Sequence, residues 1–241
     1  MAENKTTKSA PEAQPALNKQ EDFLLKNKRM IIYGAVAVLA IIAGIIFWNN
    51  HRASQLEAAQ TAIQAPELSM ELAMMELAQS SQQFNDQLFD RALNGDSTGM
   101  VGFLRIAQEY SSTKVGNLAN LYAGLCYAHM DKWQEAVEYL EKFDGVGDFM
   151  VSPAALGALG NAYAHVGQAD KAVATLTKAA EEADNVVLSP MYYIQAGEIL
   201  ESQGKKAEAL KLYQKVKAMQ NVSVSSPYFD TIDEYIERVT E

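Results

Sequence analysis

The chain has 241 residues, 20 Lys and Arg against 30 Asp and Glu, a formal charge of −10, and 49% hydrophobic residues with a single cysteine. That length supports one or two domains with a real core. One cysteine excludes an intramolecular disulfide framework and a cysteine-rich zinc site. The acidity argues against nucleic-acid binding, which needs Lys and Arg to displace counterions from phosphates.

The charge is unevenly spread. Residues 1–29 hold six cations against four acids, so the remainder carries −12. The first twenty residues are polar and rich in Pro, Ala and Thr, and read as a flexible tail that ends at residue 29. Residues 30–48, MIIYGAVAVLAIIAGIIFW, follow without a charge. As a helix they measure about 28 Å, close to the ~30 Å hydrocarbon core of a bilayer. Tyr33 and Trp48 sit near the two ends, where amphipathic rings favour the membrane interface. This is the pattern of a transmembrane helix. A cleaved signal peptide has a shorter apolar run of about 7–15 residues and a small-x-small site; here the run passes into Phe47-Trp48-Asn49-Asn50. A buried core helix would show a polar face. Lys26, Lys28 and Arg29 flank the N-terminal end and Arg52 the other. The positive-inside rule then predicts a type II protein of a bacterial inner membrane, with its N-terminus in the cytoplasm and residues 49–241 beyond the membrane. Residues 49–66 read as a helical linker.

Beyond the linker, apolar residues recur at helical spacing with Gly, Pro, Asn and Ser as punctuation, and the sequence repeats. Segments 121–143 and 158–179 align at an offset of 36, pairing Gly124 with Gly160, Tyr127 with Tyr163, Ala136 with Ala172 and Leu140 with Leu176. A third copy follows at 37, with Gly197, Leu200, Ala209 and Tyr213. The spacing has a packing reason: the Gly admits a second helix closely, and the Ala twelve residues later lies at the crossing. Gly167 and Gly204 end the first helices of their units. Ser152-Pro153, Ser189-Pro190 and Ser226-Pro227 are expected to open helices, with Ser as N-cap and Pro in the first turn.

At these positions the chain resembles the tetratricopeptide repeat (TPR) family, whose helix–turn–helix unit has a W-x2-L-G-x2-Y…A-x3-F…P pattern. The middle copy fits best, through Leu159-Gly160, Tyr163, Ala172, Leu176 and Ala179. The leading Trp is replaced by Asn120, Leu156 and Tyr193. The resemblance implies an all-α fold, one transmembrane helix followed by a solenoid of about three and a half repeats. Its parts are a degenerate repeat at 67–110, repeats at 117–150, 153–186 and 190–223, and a capping helix at 226–241. Tyr228, Ile232, Tyr235, Ile236 and Val239 are expected to face inward on that last helix. The layout of tail, span and acidic repeat domain also resembles the YfgM-like family, ancillary subunits of the Sec translocon that contact periplasmic chaperones.

No catalytic constellation is apparent. Phosphate-loop, GxSxG, HExxH and GxGxxG patterns are absent from the sequence. Cys126, between Leu125 and Tyr127, reads as a packed thiol rather than a nucleophile. His129 and His165 end equivalent first helices, where the helix C-terminus favours a partly positive side chain; as neighbouring ligands they would make only a weak metal site, with no third at suitable spacing. No cofactor or metal is expected. The resemblance points instead to a partner-binding groove along the first helices, lined by Leu118, Leu121, Leu125 and His129, then Asn161 and His165, then Met191, Ile194 and Glu198. The expected function is a membrane-anchored scaffold for a protein or peptide partner, a translocon component or chaperone among them. The alternatives are a general envelope-assembly factor and a metal-dependent enzyme built on His129 and His165.

Overall fold

Apolar residues at helical spacing fold as helices throughout. The computed structural model describes residues 25–76, 82–220 and 226–241, and within them lie ten helices and no strand beyond one bridge between Gly95 and Val101. The first part of the expected tail lies outside the described residues. The chain divides into two units at Ser54 and Gln55.

The first unit is the N-terminal part of helix α1, Lys28–Glu76, which is 49 residues long. Helix therefore begins inside the segment expected to be tail. It contains an 18-residue window of mean hydropathy 2.7, none of it buried. This is one apolar helix long enough to cross a membrane.

In the second unit the remainder of α1 buries Ala59, Ile63, Pro66, Ser69 and Ala73, spaced three or four apart so that they share one face. Against it pack α2, Gln82–Asn94, and α3, Phe103–Glu109, through Phe89, Leu93, Phe103 and Ile106. The turn between α2 and α3 is held by Asp96. Its carboxylate accepts from the Thr98 hydroxyl at 2.6 Å and the Thr98 and Met100 N–H groups, and pairs with Arg91. The Thr98 hydroxyl leads in holding that carboxyl down to about 2.

Three helical hairpins follow: α4 (Lys114–His129) with α5 (Trp133–Leu140), α6 (Val151–His165) with α7 (Ala169–Ala183), and α8 (Leu188–Ser202) with α9 (Lys206–Met219). Each closes on the expected glycine. A Cβ on Gly124 would lie 2.6 Å from Leu140 Cγ, one on Gly160 2.6 Å from Leu176 Cγ, and one on Gly197 2.3 Å from Tyr213 Cε1. Leu176 and Tyr213 are completely buried, and a buried Leu is worth about 1.5–3 kcal/mol. Ala136, Ala172 and Ala209 are also fully buried at the crossings. Each first helix ends the same way: the N–H groups of Lys132, Gln168 and Lys205 donate to the carbonyls of Tyr127, Tyr163 and Leu200, five residues back. That ending needs a left-handed residue just before the donor. Gly167 (φ 76°) and Gly204 (φ 72°) provide it, and Asp131 (φ 56°) does so in the first hairpin.

The Ser-Pro starts correct the sequence expectation. Helix α6 begins at Val151 and α8 at Leu188, so Ser152 and Ser189 lie inside the first turn rather than at the N-cap. The orphan N–H groups are satisfied by a residue four positions before each Ser. Asp148 accepts from the N–H groups of Met150, Val151 and Ser152, and Asn185 from those of Val187 and Leu188. Ser152 Oγ donates to Asp148 at 2.9 Å, while Ser189 Oγ donates to the Ala180 carbonyl at 2.7 Å. At the third start Ser226 is the N-cap and Pro227 follows in the first turn, but Ser226 makes no side-chain cap bond.

The last helix, α10 (Pro227–Thr240), packs on α9. Ile232 and Val239 are buried, and Tyr228, Tyr235 and Ile236 are half-buried against the core. Phe229, outside the expected inward set, is buried as well. Arg238 of α10 reaches back to Glu201 of α8 with two 2.8 Å bonds, a geometry suited to a guanidinium fork.

Candidate partner-binding groove

Because every hairpin closes on its glycine, residues at one distance from that glycine point the same way in successive repeats. One residue after it stand Leu125, Asn161 and Glu198; two before it, Tyr122, Ala158 and Gln195; five after it, His129, His165 and Ser202.

Between α4 and α6 lies a hollow of about 400 Å³ lined by Leu118, Leu121, Tyr122 and Leu125 with Met150, Val151, Ala154 and Ala155. Its lining is almost wholly hydrocarbon. Burial raises the pKa of the Glu67 carboxyl of α1, and the neighbouring Tyr122 hydroxyl works against that shift. Met150 is 61% exposed at the rim, beside exposed Phe149.

Between α6 and α8 lies a second hollow, of about 330 Å³, lined by Asn161, Ala164, His165, Gln195, Glu198, Ile199 and Ser202. Its polar groups differ in kind from the first. Among the described residues Gln195 Oε1 is buried without a hydrogen-bond donor, while Glu198 is exposed and lies beside Tyr235 of α10.

The predicted residues divide accordingly. Leu118, Leu121 and Leu125 meet in the first hollow, and Asn161, His165 and Glu198 in the second. Leu121 is only 5% exposed, so it forms the floor and belongs equally to the core. Ile194 lines neither hollow: three residues before Gly197, it is turned into the C-terminal core and is 4% exposed. Met191 packs on that same core. His129 lines neither hollow. It stacks on Phe89 of α2, with ring centroids 4.7 Å apart and planes 2° from parallel. His165 stacks on Trp133 of α5 at 3.6 Å. Each imidazole thus has an aromatic partner from a preceding helix, the geometry of packing between repeats. Burial lowers the His129 pKa by disfavouring the charged ring. Among the described residues no three His, Cys, Asp or Glu side chains converge as metal ligands. Cys126 is buried, and desolvation pushes its thiol up to about 12.

Tyr122, Gln195 and Ser202 are not among the sequence candidates, although the glycine register marks all three. Met150 and Val151 come from the α5–α6 connection and the first residue of α6, where no repeat position signals them.

A model of the tetratricopeptide repeat-like domain matches residues 21–228. The chain belongs to this family. The match takes in the apolar part of α1 together with the hairpins. Two solved structures of nearly identical TPR-like repeats assigned to a Podosopora anserina kinesin light chain, one a substituted variant, are similar over 72% of this chain and 84% of theirs. Each has 17% identity and a TM-score of 0.54. MamA matches over 70% of this chain and 92% of its own, at 17% identity and a TM-score of 0.41. No curated protein sequence matches. The fold is a TPR-like solenoid, a class that serves as a scaffold for protein–protein interaction.

Proposed function

We propose that the protein is a membrane-anchored scaffold that binds a polypeptide partner along the face formed by α4, α6 and α8. The observation that carries this reading is the pair of hollows between successive first helices, which share the position after the hairpin glycine, Leu125 in one and Asn161 in the other. Stacked repeats expose such a face at a size that suits a peptide or a partner helix. The wholly exposed apolar window in α1 supports an anchor, and Lys26, Lys28 and Arg29 on its N-terminal side support a cytoplasmic N-terminus with the repeats beyond an inner membrane. Anchoring confines the groove near its partner and raises the effective concentration, so a modest affinity suffices. A role beside the Sec translocon or a periplasmic chaperone is the specific form of this reading, and the YfgM-like layout supports it.

Photo-crosslinking amino acids at Leu125 and Asn161 in intact membranes test it. Both sites should trap the same polypeptide, while a site at Glu138 on α5 should not. Equal capture from all three positions would refute the groove.

A further inference from the structure

The groove's chemistry changes along its length. At one register position, three successive repeats present Leu125, Asn161 and Glu198. The first hollow offers hydrocarbon, whereas the second offers acceptors: the Glu198 carboxylate and the buried, donorless Gln195 Oε1. Leaving such an acceptor unsatisfied is destabilising, and because the atom is buried the Gln195 side chain must turn outward to meet an incoming donor. Neither Lys nor Arg lines the second hollow. The charge pattern extends the trend. Among Lys, Arg, Asp and Glu, helices α4 and α6 carry only Lys114 between them, whereas α8 and α10 carry Glu198, Asp230, Glu234 and Glu237 besides Glu201 and Asp233, which are paired with Arg238 and Lys217. The one cation on α10, Arg238, is already held by both oxygens of Glu201. An anionic ligand would meet repulsion at this end. A cation would meet two acceptors.

We infer that the groove selects a cationic amphipathic segment of a partner protein, its apolar side chains seated against Leu118 and Leu125 and a following Lys or Arg donating to Gln195 Oε1 and Glu198. This rests on the groove being the partner site and adds the chemistry of the partner. Packed helices lie about 8–10 Å apart, so α4 and α8, on either side of α6, are separated by about 16–20 Å, which a bound helix covers in roughly three turns or slightly more at ~1.5 Å per residue. The cation therefore follows the apolar anchor by about three turns.

The test uses the full chain in lipid nanodiscs and three fluorescent synthetic helices on a common Ala/Gln background. Each carries two leucines one turn apart and, about three turns further on, Arg, Gln or Glu. Fluorescence anisotropy should rank them Arg, Gln, Glu, with the Arg peptide about tenfold tighter than the Gln peptide, as a charge-assisted pair at a partly desolvated site allows. The double variant Gln195→Leu, Glu198→Gln should bring the three affinities together, and Leu125→Asn should weaken all three while keeping their ratio. Melting curves and far-ultraviolet circular dichroism confirm that each variant is folded. Equal affinities in the parent chain, or an Arg preference that survives the double variant, would overturn the inference and leave the groove standing. Failure of all three peptides to bind, with Asn161 crosslinks still trapping a partner, would also overturn it alone. Failure of peptides and crosslinks together would sink both readings.

Discussion

The Gly160–Leu176 contact allows a quantitative test of how the hairpins close. In Gly160→Ala the new Cβ lies 2.6 Å from Leu176 Cγ, 3.0 Å from its Cδ2 and 3.2 Å from its backbone nitrogen. The first distance is impossible without movement, and Cγ is the branch point of a fully buried side chain rather than a free end. Overpacking of this kind costs about 1–3 kcal/mol, while replacing a mid-helix Gly with Ala returns about 0.5–1 kcal/mol. The net expectation is a loss of about 1–2 kcal/mol. Leu176→Ala removes the obstacle and leaves a cavity, costing about 3–5 kcal/mol. In the double variant the methyl added at position 160 enters that cavity and the helix gain is kept. The loss should then fall short of the sum by about 2 kcal/mol, a coupling typical of residues in contact. Urea unfolding of the four proteins in mild detergent, followed by circular dichroism, measures the cycle, and hydrogen exchange in α6 and α7 localises it. Additivity within about 0.5 kcal/mol would show that the helices are not held apart by this pair, and the packing argument for all three glycines would fail.

Other predictions follow the same logic. Asp131→Gly relieves a left-handed conformation at φ 56° that the two later repeats assign to glycine, and should raise stability by about 0.5–1 kcal/mol; a loss in thermal unfolding would refute the helix-end assignment. Ser189→Ala deprives the Asn185 N–H and the Ala180 carbonyl of their buried partner and should cost about 1–3 kcal/mol. Ser226→Ala removes a buried hydroxyl that has no partner among the described residues and should be neutral or stabilising, so equal losses would contradict the different roles of these serines. Because burial holds the His129 pKa below 6.5, the unfolded chain takes up this proton more readily. Stability from this ring is present above about 6.5, falls as the pH drops below it, and levels off beneath the folded pKa. NMR titration and a pH series of melts check this, and His129→Phe should flatten that part of the profile.

How much of this is readable from residues alone depends on how local the cause is. The glycine, alanine and bulky positions of each hairpin are legible because close helix approach leaves few side chains that fit, and the same solution recurs 36 or 37 residues later. The helix starts mislead because Ser-Pro looks like a cap and first turn wherever it occurs. The actual caps, Asp148 and Asn185, lie four residues earlier in connections whose shape depends on the preceding hairpin. Sequence places His129 and His165 correctly at helix ends, but their stacking on Phe89 and Trp133 is a contact between repeats that no spacing within one repeat reveals. Ile194 falls in the expected groove for the same reason. It stands three residues before its glycine, as Leu121 does, and both are buried, at 4% and 5% exposure, in the cores of their repeats.

The contrast between repeated and varied positions is itself an argument about function. Where hairpin closure dictates the residue, the copies agree: Gly124, Gly160 and Gly197, or Ala136, Ala172 and Ala209, each fully enclosed. One position beyond the glycine, closure imposes nothing, because the side chain leaves the hairpin and enters the hollow between repeats. There the copies part into Leu125, Asn161 and Glu198. If that position only needed a soluble surface, exposed polar residues would serve in all three, and a Leu over an open apolar hollow would be a liability. If it only filled core, a carboxylate would be costly. A leucine, an amide and a carboxylate in ordered succession satisfy neither demand alone, but they do meet the demand of an extended ligand whose own chemistry changes from one repeat to the next.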